Sequence, residues 1–318
     1  MRATNAEAGS KLPLDQIFVD LNAYYLVESR GKTPSHEIRK SPEDRRRMVV
    51  SLQRELEHWL EGRTREDAIR VISGGPGSGK SSFARVFAAR VADRGSPRVL
   101  FVPLHLIDPS KDLADEVGRF VRDEGILIQN PLDPESPEPD LLIIFDGLDE
   151  LASQGKASAE TARGFVREVD RTVEKRNLSS IRLRVLISGR ELVVQENESE
   201  FRRPRQVLNL LPYYVAPEPP HPSRGGEEYV DPEGHLKSDL RQLWWKQYGA
   251  LIGRDFGALP KELRRDDLDE ITAQPLLNYL IALSYQRGRL DFKKGINLNQ
   301  IYADLVAAVH ERDYEKRL

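Results

Sequence analysis

The chain has 318 residues, 31% of them charged, and its 48 basic and 51 acidic side chains leave a net charge of −3. Charges interspersed in this way create no global basic field for nucleic acid, and the absence of cysteine removes disulfide scaffolds and thiolate metal sites. No apolar run approaches the roughly 18 residues of a membrane span and the first ten residues carry no apolar signal core, so a soluble, cytoplasmic chain of one or two domains is expected.

Residues 15–27 read as a strand and 29–47 as a polar, charged connector. From Met48 the apolar positions Val49, Leu52, Leu56, Trp59 and Leu60 follow a helical spacing that stops at Gly62. Short apolar runs then alternate with amphipathic stretches. Strands are expected at 68–73, 98–104, 141–145, 183–188 and 206–211. Helices are expected from Lys80 to Gly95, with Phe83, Phe87 and Val91 on one face, and at 110–125 and 159–177. This alternation predicts an α/β, three-layer sandwich with a mostly parallel central sheet.

The segment 212–234 is rich in proline and glycine and reads as a linker or long excursion. Everything after it is helical in pattern, and Trp244 and Trp245 fall on a helical face expected to be core. The organisation expected is an N-terminal strand and connector (1–47), a nucleotide-binding α/β domain (48–215), a linker (216–236) and a small all-helical domain (237–318).

Two motifs carry chemistry. Gly74, Gly75, Pro76, Gly77, Ser78, Gly79, Lys80, Ser81 and Ser82 run between a predicted strand and a predicted helix. From Gly74 they match G-x-x-x-x-G-K-[ST] in the strand-loop-helix context which that motif requires. Its glycines let successive amides face one concavity, and the helix start adds partial positive charge where an anion would sit. Lys80 is placed to reach β- and γ-phosphates, and the Ser81 hydroxyl to ligate Mg²⁺.

The second motif is Leu141–Leu142–Ile143–Ile144–Phe145 followed by Asp146, Asp149 and Glu150. A core strand has no structural need for three carboxylates at its end, since two unit charges about 5 Å apart repel by roughly 3 kcal/mol at an effective dielectric near 20. In a parallel α/β sheet ligands bind beyond the carboxyl ends of the strands, so Asp146 is expected to hold Mg²⁺ with Ser81. Asp149 or Glu150 would polarise an attacking water, unless they merely cap the next helix. Arg190 ends another core strand on the same edge, where a guanidinium would report a γ-phosphate or simply be solvated. Pro275, inside a helical pattern, reads as a first-turn proline.

At these residues the chain resembles the NACHT branch of the STAND class of P-loop ATPases, which includes animal inflammasome receptors and bacterial anti-phage proteins. The resemblance rests on residues 74–81 and on the strand-Asp-Gly-Leu-Asp-Glu run of 141–150. It is supported by the resemblance of 185–190 to a sensor strand and of 273–283 to a helical-domain segment whose proline, Pro275 here, packs near the nucleotide. It spans roughly residues 65–318, with 17–21 as a preceding strand and 295–312 as the last helix. The resemblance implies ATP or ADP with Mg²⁺, slow hydrolysis, self-association in the ATP state, and a signalling switch used in processes such as anti-phage defence. In the family a winged-helix domain follows where this chain ends, so a fragment is expected, with effector and sensor parts elsewhere.

Two other classes share the phosphate loop. A nucleic-acid motor of AAA+ type usually has an acid where Gly147 stands, and no basic stripe with interleaved aromatics is evident. A small-molecule kinase needs a lid with clustered arginines, and the nearest basic groups, at 44–48 and 264–270, read as solvated helix ends. No guanine-recognition motif is present, which favours ATP.

Overall fold

The computed structural model describes residues 14–28, 45–133, 140–152, 158–216, 228–288, 299–304, 306 and 307. Most of the expected connector, residues 217–227 of the expected linker and the end of the last helix beyond 307 lie outside them. Among the described residues no helix is long and apolar enough to cross a membrane.

A single sheet of eight strands organises the fold. In chain order these are β1 (Asn22–Glu28), β2 (Arg45–Ser51), β3 (Ile69–Gly74), β4 (Arg98–Pro103), β5 (Leu141–Asp146), β6 (Leu183–Arg190), β7 (Val207–Leu210) and β8 (Tyr229–Val230). Across the sheet they run β4-β5-β6-β3-β7-β1-β2-β8. Every neighbouring pair from β4 to β7 is parallel; β1 is antiparallel to both β7 and β2, and β8 is parallel to β2. Only β1 therefore runs against the rest, and the sheet is mixed but mostly parallel, as predicted.

Helices cover both faces because the central strands bury side chains on both. Leu142 and Ile144 of β5 join Ile72, Leu186, Phe83 and Phe87 in one apolar cluster. Their neighbours Leu141, Ile143 and Phe145 join Val117, Phe120, Phe165 and Val169 in the other. This period-2 partition of an unbroken apolar run is what a doubly covered strand demands, and each such side chain contributes about 1.5–3 kcal/mol on burial. On the first face lie α2 (Leu52–Glu61) and α3 (Lys80–Asp93); on the second lie α4 (Leu113–Asp123), α5 (Leu148–Ala152), α6 (Ser158–Arg176) and α7 (Glu191–Glu196).

The N-terminal part differs from the sequence reading. Residues 14–17 form a short helix, α1 (Leu14–Ile17), and 18–21 are irregular, so the first strand begins only at Asn22. The stretch read as the start of a helix is β2, paired along its length with β1. The helix begins one residue after Ser51, whose Oγ accepts the Arg54 N–H at 3.5 Å as an N-cap.

The C-terminal helices α8 (Leu240–Leu251), α9 (Asp266–Ala273) and α10 (Pro275–Arg287) follow the sheet. Trp244, Trp245 and Tyr248 are buried in the same cluster as Phe83 and Phe87, and the Trp245 Nε1–H donates to Asn278 Oδ1 at 2.9 Å. Backbone bonds from Tyr213 N–H to Ala273 O (2.8 Å) and from Leu240 N–H to Tyr213 O (2.9 Å) hold these helices to the chain leaving β7. The Arg241 guanidinium stacks on Tyr214, 3.9 Å from its ring centre, and also binds Asp239, Asp269 and Thr272.

Candidate functional site

Strand β3 ends at Gly74, and the chain turns through residues 75–79 into α3. The turn needs left-handed backbone at Gly77 (φ 73°) and Gly79 (φ 94°), which a side chain resists by about 1–2 kcal/mol per residue. Left-handed and right-handed residues in succession turn consecutive amides into one anion-binding concavity. The start of the 14-residue helix α3 lies at the same point and adds its unpaired N–H groups and dipole. Gly75 and Pro76 form the outer part of the turn, and the Ser78 Oγ is buried against Gly74 without a protein partner.

The Lys80 ammonium folds over this loop, donating to the carbonyls of Gly74 (2.7 Å) and Gly75 (2.9 Å). Burial is the main reason its pKa is lowered; the Arg190 charge reinforces that, while Asp149 and Asp146 oppose it. A cation held at a charge-disfavouring spot is relieved by an arriving anion.

Asp146 ends β5 and is 8% exposed. Its Oδ1 accepts from the Ser81 hydroxyl at 3.1 Å and from the Ser188 hydroxyl. Ser188 reaches it because β6 lies between β3 and β5, with Asp146 opposite Ser188 and Gly74 opposite Arg190. The same Ser188 accepts the Gly147 N–H at 3.2 Å. Ser188 was missed in the sequence reading, although it is a hydroxyl near the end of a core strand, two residues before the arginine that was singled out.

Beyond Asp146 the backbone turns at Gly147 (φ 94°) into α5, with Asp149 and Glu150 in its first turn. The two acids diverge. Asp149 takes both the Arg190 N–H (3.2 Å on Oδ1) and the Arg190 Nε (2.7 Å on Oδ2). Glu150 lies over Gly147, where an added Cβ would come within 2.8 Å of its Cδ, and its Oε2 meets His105 Nδ1 at 2.9 Å. His105 is the second residue that sequence reading missed.

Pro275 is the first residue of α10, and the Leu276 N–H donates to the Gly77 carbonyl at 3.1 Å. A Cβ on Gly79 would fall 3.6 Å from Pro275 Cγ. The first turn of the last large helix therefore rests on the phosphate loop. Ser82 lies one residue into α3, beside Ser81, and is half-buried. Thus residues 74–82, Asp146, Asp149, Arg190 and Pro275 share one rim, and Glu150 turns from it toward β4.

The donor set fits a hard divalent cation beside phosphates: one hydroxyl and one carboxylate in direct contact, an ammonium nearby, and no sulfur or imidazole at Asp146.

Comparison with known families and structures agrees with this geometry. The family described as "NACHT domain" matches residues 69–211. No curated protein matches the chain. Solved structures that overlap it include PCH-2 of C. elegans (13% identity, 50% of this chain, 41% of that chain, TM-score 0.29). Cdc6p of Pyrobaculum aerophilum is another (15%, 51%, 44%, TM-score 0.32), and a third is the HORMA:CdnC:Trip13 complex of E. coli MS115-1 (21%, 46%, 49%, TM-score 0.28). The chain spans less than half the length of each of these three, and scores this low mark only partial overlap. Residues 69–211 form a P-loop nucleoside-triphosphatase domain of NACHT type, for which the family implies nucleotide binding.

Proposed function

We propose, from the NACHT-type domain at residues 69–211, that the chain is an ATP-driven conformational switch. It binds ATP with Mg²⁺, hydrolyses it slowly, and couples ATP/ADP exchange to self-association. The observation that carries this reading is the seating of α10 on the phosphate loop through Leu276 N–H and Gly77 O. Any change at the loop on nucleotide exchange is felt directly by the helical region.

Lys80, leaving the carbonyls of Gly74 and Gly75, would bind β- and γ-phosphate oxygens. Ser81 and Asp146 would hold Mg²⁺, which when bound neutralises charge on those oxygens. An acid of α5 takes a proton from water as the water oxygen bonds to the γ-phosphorus. The bond from that phosphorus to its bridging oxygen breaks, and the electron pair leaves with ADP. Arg190 supplies the sensing element: a γ-phosphate competes with Asp149 for its guanidinium, so ATP and ADP leave the pair in different states.

The test measures phosphate release from ATP and the chain's hydrodynamic size with ADP and with a non-hydrolysable ATP analogue. The proposal expects slow release and a larger species with the analogue. The same size in both states would sink the switch. A role in anti-phage signalling rests on the family resemblance alone; protection of a phage-challenged host by the parent and not by Lys80→Ala tests it.

A further inference from the structure

We infer that His105 is a positioning residue for Glu150, and that Glu150 rather than Asp149 is the acid that activates water. The inference deepens the nucleotide-site reading and rests on it. The two candidate acids are adjacent in sequence, yet the structure commits them to opposite neighbours.

Asp149 is held at both oxygens by one residue, Arg190, through its backbone N–H and its guanidinium, and its side chain is 16% exposed. A carboxylate tied to a cation on two sides is a poor proton acceptor. Glu150 is 48% exposed and meets an imidazole, which fixes its direction without a permanent charge.

The contact follows from sheet register. Pro103 of β4 lies opposite Asp146 of β5, so the turn two residues after the first strand reaches the helix that starts after the second. That turn is rigid. Leu104 is fully buried, Ile107 N–H closes on Leu104 O at 3.2 Å, and Arg119 Nη2 donates to Leu106 O at 2.8 Å. Arg119 is itself held by the buried Glu116. On the other side, Leu148 and Leu151 anchor α5 in the core. Two firmly mounted backbones thus present side chains that meet at the surface. Exposed pairs of this kind contribute little to stability, so what the contact supplies is orientation: Nδ1–H on Oε2 holds the carboxylate over Gly147, next to Asp146.

In the step proposed, the water oxygen bonds to the γ-phosphorus, the bridging P–O bond breaks onto ADP, and the water proton passes to Glu150. Misplacing such a group by about 1 Å costs up to a hundredfold in rate, whereas removing a general base costs about 10²–10⁴-fold.

The experiment measures ATP affinity and kcat for the full chain, Lys80→Ala, His105→Ala, His105→Gln, Glu150→Gln and the double variant His105→Ala/Glu150→Gln. His105→Ala should bind ATP like the parent, melt like the parent, and lose roughly ten- to hundredfold in kcat. His105→Gln, which keeps a donor, should regain part of that loss. The double variant should be no slower than Glu150→Gln, because a positioning residue has nothing left to position. A parental kcat in His105→Ala, a further fall in the double variant, or an ATP affinity that drops with kcat would overturn the inference. So would a parent that binds ATP without releasing phosphate. Failure of the underlying reading looks different: neither the parent nor Lys80→Ala would show a difference in ATP binding.

Discussion

Gly147→Ala separates backbone strain from chemistry at one position. Gly147 has a φ of 94°, and a side chain held in such a sparsely populated region costs of order 1–3 kcal/mol. The new methyl would also come within 2.8 Å of Glu150 Cδ and 3.1 Å of both its carboxylate oxygens. Glu150 is the far end of a half-exposed side chain, so it swings aside and adds little to the cost. Urea unfolding should therefore show a loss of about 1–3 kcal/mol. Phosphate release should fall by a larger factor than strain alone explains, because the displaced carboxylate no longer lies beside Asp146. Binding of ATP should stay near parental, since the loop at 74–81 is untouched. If Gly147→Ala unfolds like the parent and hydrolyses ATP at the parental rate, the account of this turn is wrong.

Ser188→Ala removes the hydroxyl shared by Asp146 and the Gly147 N–H; a stability loss of about 1–3 kcal/mol and a several-fold higher Mg²⁺ requirement for hydrolysis are expected by denaturation and Mg²⁺ titration. Arg190→Gln should leave ADP affinity near parental while narrowing the preference for ATP by about tenfold, or 1.4 kcal/mol, in competition binding. Trp245→Ala empties a fully buried site and should cost about 3–5 kcal/mol in unfolding experiments. Burial lowers the Lys80 pKa below its ordinary 10.5. Between the lowered value and 10.5 the unfolded chain binds more protons at this group, so its contribution to stability rises with pH there. Without nucleotide, Lys80→Met should be the more stable at neutral pH, and its advantage over the parent should shrink as pH climbs toward 10.5.

The unbroken apolar run 141–145 announced a strand covered on both faces, and its residues do divide between the two clusters. The glycine-rich loop was equally legible, because its chemistry is local and its spacing fixed. The N-terminal strand β2 was not, since Met48, Val49 and Val50 make too short a run to outweigh the helical spacing that continues through Leu60. Only its pairing with β1 makes it a strand. Ser188 and His105 lie 42 and 45 residues from the acids they bind. Those contacts depend on the strand order β4-β5-β6-β3, and no local pattern encodes that order. The divergence of Asp149 and Glu150 was hidden for the same reason, because their partners stand on different strands.

The rim where Lys80, Ser81 and Asp146 meet is tested most directly by calorimetric titration of ATP, with and without Mg²⁺, into the parent and into Lys80→Ala. One saturable site in the parent, tightened by Mg²⁺ and weakened at least tenfold by the substitution, is the expected result. Equal affinity in the two chains, or no binding by the parent, would contradict it.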